Sequence, residues 1–170
     1  MRQQAGAIFL GLLGTFLAPT ALQAQEDATA GAVLNVAGFY LGMERSEVGL
    51  LYEKLKSDGV AEFVAIESSE FRDLITVDQE FGSMGNKIEL QYAESGEVTY
   101  IKFQYKTVAI LLDHGGLEPS EFVQAFCEDH GIPAMDYQDM GFVKTWSYEN
   151  ADSGYKVSID DSKNITLQRL

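Results

Sequence analysis

Two neighbouring segments in the middle of the chain alternate apolar and polar residues, and this pattern constrains the fold more than any other feature. The segments span residues 87–92 and 98–105, and residues 94–97 (Glu-Ser-Gly-Glu) form a turn between them. Because side chains of a β-strand point alternately to its two faces, the pattern predicts two half-buried strands of an antiparallel hairpin. The apolar face contains Ile88, Leu90 and Tyr92 in the first strand and Ile101, Phe103 and Tyr105 in the second.

An amphipathic helix is predicted on the N-terminal side of this hairpin, over residues 46–56. Its apolar residues recur at helical spacing, Ser46 is the expected N-cap, and Asp58 and Gly59 follow the last turn. The apolar positions are Val48, Leu51, Tyr52 and Leu55. Between helix and hairpin, residues 63–66 and 74–77 are predicted strands.

The same order returns in the C-terminal part of the chain. Pro119 and Ser120 are predicted to begin a second helix that ends near Gly131. It directs Phe122, Val123, Phe126 and Cys127 inward. Strands are predicted at residues 144–148, 155–159 and 164–170, with a turn at 160–163.

Short matches connect the two halves. Residues 44–47 (Glu-Arg-Ser-Glu) align with residues 118–121 (Glu-Pro-Ser-Glu) at an offset of 74. At shorter offsets, residues 87–90 align with 156–159, and 101–104 with 165–168. A repeated order predicts an α+β fold of two tandem units, each with a helix packed on an antiparallel β-sheet. The units would span residues 35–112 and 113–170. Chance similarity of two ordinary α+β patterns is the alternative.

The first 24 residues are typical of a secretory signal peptide. Arg2 precedes an apolar stretch over residues 5–18, and the small residue Ala24 offers a cleavage site. The stretch is shorter than the roughly 20 residues that span a bilayer as a helix, although an uncleaved anchor is the alternative. No cysteine lies at the cleavage point itself, so a lipid anchor is not expected. We therefore expect a flexible leader at residues 25–34, no stable membrane anchor, and a periplasmic or secreted protein.

The chain is strongly acidic, with 12 Lys and Arg against 26 Asp and Glu and a net charge of −14. This charge argues against nucleic acid as a partner, since phosphates require cationic groups. It would speed the encounter with a basic protein. Solubility alone is the alternative explanation.

No catalytic or cofactor-binding motif is present, and none of the cysteine and histidine spacings matches a metal site. Cys127 is the single cysteine, and its apolar helical neighbours predict a buried thiol. The alternatives are a disulfide between two chains and activation of Cys127 by His130, three residues later. We therefore expect no cofactor, no metal and no enzymatic activity.

A candidate binding face follows from the predicted hairpin. If the apolar side of each strand faces the helix, the other side combines one tyrosine with adaptable polar groups. The candidate residues are Lys87, Glu89, Gln91, Tyr100, Lys102, Gln104 and Lys106. The alternative is a solvated strand face whose lysines prevent edge pairing. Trp146 and Tyr148 are expected to pack inward with Val157 and Leu167.

Several short motifs resemble one known superfamily. Residues 41–48 (Leu-Gly-Met-Glu-Arg-Ser-Glu-Val) are similar to the helix start of the SmpA/OmlA and beta-lactamase-inhibitor-protein-like superfamily. Trp146-Ser147-Tyr148, with residues 155–159 and 165–167, resembles its W-x-Y strand and closing hairpin. The resemblance implies two tandem units of helices packed on antiparallel sheet. The chain departs from the inhibitors in lacking an internal disulfide, and its first unit has no W-x-Y.

These observations favour a non-catalytic, extracytoplasmic protein-binding module, and the resemblance adds an inhibitor or immunity protein of an enzyme as the specific form. An envelope (outer-membrane) assembly or maintenance factor is the alternative implied by the same superfamily. A thiol-dependent enzyme is the third class.

Overall fold

The computed structural model describes residues 33–77, 84–112, 114 and 116–170, in which helices separate runs of two or four consecutive strands. The N-terminal half contains β1 (Asn35–Val36), β2 (Phe39–Tyr40), α1 (Arg45–Ser57), β3 (Phe63–Ser68), β4 (Arg72–Val77), β5 (Lys87–Tyr92) and β6 (Val98–Phe103). The C-terminal half contains α2 (Tyr105–Leu111), α3 (Pro119–His130), β7 (Asp136–Asp139), β8 (Lys144–Asn150), β9 (Tyr155–Asp160) and β10 (Ile165–Arg169).

The predicted signal peptide and most of the predicted leader lie outside the described residues. Of the leader, only Val33 and Leu34 are described. Leu34 is buried in the core, so the packed part of the chain already includes this residue.

Eight strands form one antiparallel sheet in the order β3–β4–β5–β6–β10–β9–β8–β7, and β1 pairs with β2 separately. Four consecutive strands of the chain, β3 to β6, make one half of the large sheet, and β7 to β10 make the other. The halves meet where β6 pairs with β10. The chain therefore has an α+β fold with an antiparallel sheet, as the sequence predicted.

The helices pack on one face of this sheet. Residues of α1, α2 and α3 belong to the same buried core as the alternate apolar residues of β4, β5, β6, β9 and β10. The buried strand residues include Ile88, Leu90, Ile101, Phe103, Val157, Ile159, Ile165 and Leu167. The predicted inward residues of α3 are buried as well. Alternation in the sequence therefore identified the core side of each central strand correctly.

Both long helices begin with the same local structure. Glu44 is the N-cap of α1 and Glu118 the N-cap of α3, and each forms a capping box with a glutamate three residues later. The prediction of Ser46 as N-cap is wrong, because α1 begins at Arg45 and Glu44 is the N-cap, with its backbone N–H donating to the Glu47 carboxylate at 2.8 Å. The two boxes are the pair of segments that the sequence aligned at an offset of 74.

Strand pairing is also equivalent in the two halves. Ile88 lies opposite Phe103 and Leu90 opposite Ile101 across β5 and β6. At the aligned positions, Val157 lies opposite Leu167 and Ile159 opposite Ile165. In the central pair β6–β10, Phe103 lies opposite Ile165 and Ile101 opposite Leu167. Replacing each residue by its aligned residue in the other half converts one of these pairs into the other. These equivalences agree with the predicted duplication, which stays a prediction.

The sequence placed the end of β6 too late and missed four of the described elements, namely β1, β2, α2 and β7. The strand ends at Phe103, and residues 105–111 form α2, so Tyr105 does not continue the apolar face and is 43% exposed. Strand β7 was also missed, because all four of its residues are exposed and show no apolar alternation.

The first residues of α2 pack closely against the backbone of Gly85. The backbone O of Gly85 accepts from the N–H of Lys106 at 2.8 Å, and the ring of Tyr105 lies over Gly85. A Cβ at Gly85 would be 2.2 Å from this ring, and the residue has a φ of +83°. Only glycine satisfies both conditions.

We expect Gly85→Ala to lower the free energy of unfolding by about 2–4 kcal/mol, from left-handed strain and displacement of the Tyr105 ring. Gly141→Ala is the matched control, since Gly141 has a φ of +84° and no neighbouring atom within 4 Å of its added Cβ. It should cost only about 1 kcal/mol. Urea unfolding followed by circular dichroism measures both. Equal losses would contradict the role of the Tyr105 contact.

A partly buried ion pair attaches α1 to the sheet. Arg45, the first residue of α1, donates to the carboxylate of Asp73 on β4 and to the backbone O of Ser69 and Glu70. The hydroxyl of Tyr92 donates to the other Asp73 oxygen at 2.6 Å, and its ring lies 4.6 Å below the Arg45 guanidinium. Burial alone would raise the pKa of Asp73, but hydrogen bonds from Tyr92, Arg45 and Ser68 hold it below its ordinary value.

Asp73→Asn should lower the free energy of unfolding at pH 7 by about 2 kcal/mol, less than for a fully buried pair because Arg45 is partly exposed. The depressed pKa stabilises the fold above the unfolded pKa of about 4, and this contribution is lost as pH falls through the folded pKa. The difference between wild type and variant should therefore shrink below about pH 4.

Urea unfolding between pH 7 and pH 2.5 checks this dependence. Asp152→Asn, at an exposed turn position, is the control and should differ little from wild type at any pH. A difference for Asp73→Asn that stayed constant across the acid range would contradict the linkage.

Candidate binding face

The face of the large sheet opposite the helices is lined with polar side chains apart from Leu74. Because directly paired residues of adjacent strands lie on the same face, the strand register arranges these side chains in two rows across the sheet. The first row contains Leu74, Glu89, Lys102, Thr166, Ser158 and Ser147, and the second contains Arg72, Gln91, Tyr100, Gln168, Lys156 and Glu149. We call these twelve residues and the neighbouring Lys87 the open face. None of the described helices covers it, and each of its residues is half-buried or exposed.

Five of the seven candidate residues lie on the open face. Lys87, Glu89 and Gln91 are the outward residues of β5, and Tyr100 and Lys102 are outward on β6. In the register, Lys102 pairs with Glu89 and Tyr100 with Gln91.

The other two candidates were misplaced. Gln104 is the N-cap residue of α2, where its side-chain oxygen accepts from the backbone N–H of Lys87 at 3.1 Å. Lys106 lies within α2, with its Nζ 5.9 Å from the Tyr105 ring centre. The prediction extended β6 through both residues, but the chain turns into a helix after Phe103 and removes them from the face.

Ion pairs connect most of the charged groups on this face. Arg72 donates to Glu89 at 2.9 Å, and Gln91 donates to the same oxygen at 3.2 Å. Lys156 donates to Glu149 at 2.7 Å on the opposite half of the sheet. Exposed pairs of this kind contribute only about 0–1 kcal/mol to folding. They are therefore available to rearrange toward a partner at small cost.

Lys102 differs from these cations. Among the residues that the structure describes, it forms no ion pair, although Glu89 lies opposite it on β5 and Thr166 on β10. It lies on β6, a central strand of the sheet that pairs with β5 on one side and with β10 on the other. A partner's carboxylate could approach this ammonium group without displacing an existing pair.

Tyr100 is adjacent to Lys102 on the same face and two residues away on the strand. The pKa of Tyr100 is raised, mainly by burial and further by the negative charge of Glu89, although a hydrogen bond from Thr166 lowers it in part. The side chain is therefore a neutral phenol at physiological pH. It combines a partly desolvated ring with a hydroxyl that can donate, the combination that favours tyrosine at protein interfaces.

The sequence missed the C-terminal half of this face. The outward residues of β9 and β10 were visible as the polar positions of a predicted hairpin, but nothing in the sequence paired β10 with β6. Arg72 was missed for a different reason, since the strand was predicted to begin at Leu74 and begins at Arg72.

Trp146 and Tyr148 point to the helix side, as predicted. Trp146 lies opposite Ile159 and Tyr148 opposite Val157, and both are half-buried against the core. Trp146 also contacts Tyr137 of β7, with ring centres 5.1 Å apart.

Cys127 is buried in α3, as predicted. The pKa of its thiol is raised, mainly by burial and further by the charge of Glu128, although a hydrogen bond with the Met135 backbone lowers it in part. His130 stacks on Phe126, and its Nδ1 lies 2.9 Å from the Phe126 carbonyl. His114 lies beside Asp129 instead. Within the described part of the chain, no three His, Cys, Asp or Glu residues form a group that could hold a metal ion.

Native protein should react with a disulfide reagent such as DTNB at least roughly a hundredfold more slowly than protein unfolded in guanidinium, because burial hides the thiol and disfavours the thiolate. Absorbance of the released thiolate measures both rates. A native rate close to the unfolded rate would contradict this arrangement and favour a reactive cysteine.

Comparisons with known proteins identify no family for this chain. No family model and no curated protein matches it. Among solved structures, it is similar to a DUF4309 family protein (YjgB) from Bacillus subtilis, with a TM-score of 0.36 and 14% identity over 75% of this chain and 78% of that chain. None of the described helices has the length and apolarity needed to cross a membrane.

Proposed function

We propose that this protein is a non-catalytic binding protein that docks another protein on the open face, and that it is exported and acts as an inhibitor or immunity protein of an enzyme. The observation that carries the proposal is the uncovered face itself, with Lys102 and Tyr100 side by side near its centre. A polar sheet face with a central tyrosine suits reversible contact with a protein surface better than it suits burial of a small molecule.

Charge supports a selective contact. The chain carries a net charge of −14, but the open face holds four of its cations, namely Arg72, Lys87, Lys102 and Lys156. These cations alternate with Glu89 and Glu149, so the face is locally mixed in sign. A partner with its own mixed pattern, including a carboxylate opposite Lys102, would fit this arrangement, while the overall acidity would steer a protein of basic net charge.

The surroundings of the thiol support a non-catalytic role. The burial and raised pKa of Cys127 disfavour a nucleophilic thiolate. The contacts of the His130 ring are with Phe126, on which it stacks and whose carbonyl lies 2.9 Å from its Nδ1. The raised pKa of the thiol therefore favours the non-catalytic proposal over the thiol-dependent alternative.

The test is affinity purification from the extracytoplasmic fraction of cells that carry the gene, with wild type and three variants as bait. Lys102→Glu and Tyr100→Ala should each reduce the recovery of a specific protein by about tenfold or more, since truncating or reversing a central contact weakens binding by that order. Lys56→Glu on α1 makes the same charge change at an exposed position away from the face, and should recover the partner as wild type does.

Quantitative mass spectrometry of the eluates, followed by calorimetry with the purified partner, measures these effects. Circular dichroism confirms that each variant is folded. The proposal fails if wild type enriches no protein, or if Lys102→Glu recovers every protein that wild type enriches. Inhibition of the recovered enzyme by wild type, and not by Lys102→Glu, is the expected result for the inhibitor role.

A further inference from the structure

Strand β7 is the last strand of the large sheet, and it presents an unpaired edge. It pairs with β8 on one side, and no strand of the described residues lies on its other side. The other end of the sheet is β3. An unpaired edge leaves backbone N–H and C=O groups available for a further strand.

The register determines which backbone groups of β7 point outward. The N–H of Met140 donates to the carbonyl of Val143 at 3.0 Å, and hydrogen-bonded and non-bonded pairs alternate along an antiparallel ladder. Gln138 and Asp136 therefore bond to β8, and the backbone of Tyr137 and Asp139 points to the free edge. The carbonyl of Lys144, opposite Asp139, agrees with this assignment, because it accepts from Asp161 on the β9 side.

The side chains at this edge combine negative charge with exposed apolar surface. Asp136 and Asp139 are exposed on the strand. Tyr137, Met140 and Phe142 are 51%, 61% and 90% exposed. Beside the strand, a cleft of about 560 Å³ lies between Tyr137, Trp146, Pro119 and Lys144.

Local hydrogen bonds hold the hairpin in shape. The carboxylate of Asp139 accepts from the N–H of Gly141 at 2.8 Å and from the hydroxyl of Tyr137 at 3.3 Å. Binding to an edge that is already ordered costs less conformational entropy than binding to a loose loop.

From these observations we propose that the β7 edge binds an extended, basic segment of another protein by strand addition. The segment pairs with the outward backbone groups of Tyr137 and Asp139. Its Lys or Arg side chains approach Asp136 and Asp139, and an apolar side chain enters the cleft beside Tyr137 and Trp146. Backbone pairing supplies affinity, and alternate side chains supply specificity.

Charge selects this occupant over a second copy of the chain. Two β7 edges paired around a twofold axis would bring two aspartates from each strand into one short ladder. Aspartates lie directly opposite each other in the register that pairs Asp139 with its own copy, and like charges in such a pair are destabilising. The net charge of −14 adds repulsion between copies. A basic segment removes both costs.

The experiment uses a displayed library of random 12-residue peptides as the probe, selected on the full chain and then synthesised for affinity measurement. Selected peptides should be enriched in Lys and Arg with one aromatic or aliphatic residue between them. Binding should weaken at least tenfold when salt is raised, as expected for exposed charge pairs. Chemical shift changes should centre on Tyr137, Asp139 and Phe142.

Paired variants separate the contacts. Tyr137→Pro removes an outward N–H that β8 does not use, whereas Tyr137→Val removes the ring and keeps the N–H. Strand addition predicts that Tyr137→Pro binds the peptide at least tenfold more weakly than Tyr137→Val does. Asp136→Lys should weaken binding about tenfold, and Glu53→Lys, the same charge change on the exposed side of α1, should leave it unchanged.

Several outcomes overturn the proposal. They are a library that yields no binder above background, selected peptides without basic residues, and equal binding by Tyr137→Pro and Tyr137→Val in folded proteins. A dimer in analytical ultracentrifugation that Asp136→Lys strengthens would assign the edge to self-association instead. Lys102→Glu should retain full peptide binding, so failure of the open face as a docking surface and failure of this proposal are distinguishable.

Discussion

The pairing of β6 with β10 is the contact on which the rest of the structure depends. It joins four consecutive strands of the N-terminal half to four of the C-terminal half and makes one sheet of eight. On its buried side, Ile101, Phe103, Ile165 and Leu167 are almost completely excluded from solvent. These side chains connect what would otherwise be two small cores, and a larger core buries a greater fraction of its apolar surface. On its other side, the same pairing places Lys102 beside Thr166 and makes the open face continuous.

One-sided packing follows from this junction. Helices α1 and α3 begin with matching capping boxes and bury their apolar stripes on the same side of the sheet. The ion pair between Arg45 and Asp73 attaches the start of α1 to β4 and limits where that helix can lie. Because the helices share one side, the opposite side is left with mostly polar, half-buried or exposed residues over six strands. The first proposed contact uses the open face, which the described helices leave uncovered. The second uses the β7 edge, beside which no further described strand lies.

The parts of the fold that the sequence predicted depend on local periodicity. Alternation at residues 88–92 identified both sides of β5, and helical spacing with Pro119 and Gly131 identified α3. The failures occurred where local signals conflict with tertiary contacts. Tyr105 continues the alternation of β6 and still begins a helix, since its ring packs over Gly85. Strand β7 has no alternation, because an edge strand beside the β8 aromatic residues buries none of its own side chains.

The sequence by itself determined helices α1 and α3, the central hairpins, their core-facing sides and five of the residues on the open face, because each follows from the spacing of apolar and polar residues within one short segment. Only the tertiary structure decided that β6 pairs with β10, that Gln104 and Lys106 leave the face, and that Arg72, Thr166 and Lys156 join it. The physical reason is that periodicity assigns a residue to one side of its own strand. Which strand lies next to it depends on the apolar surface buried between segments far apart in the chain.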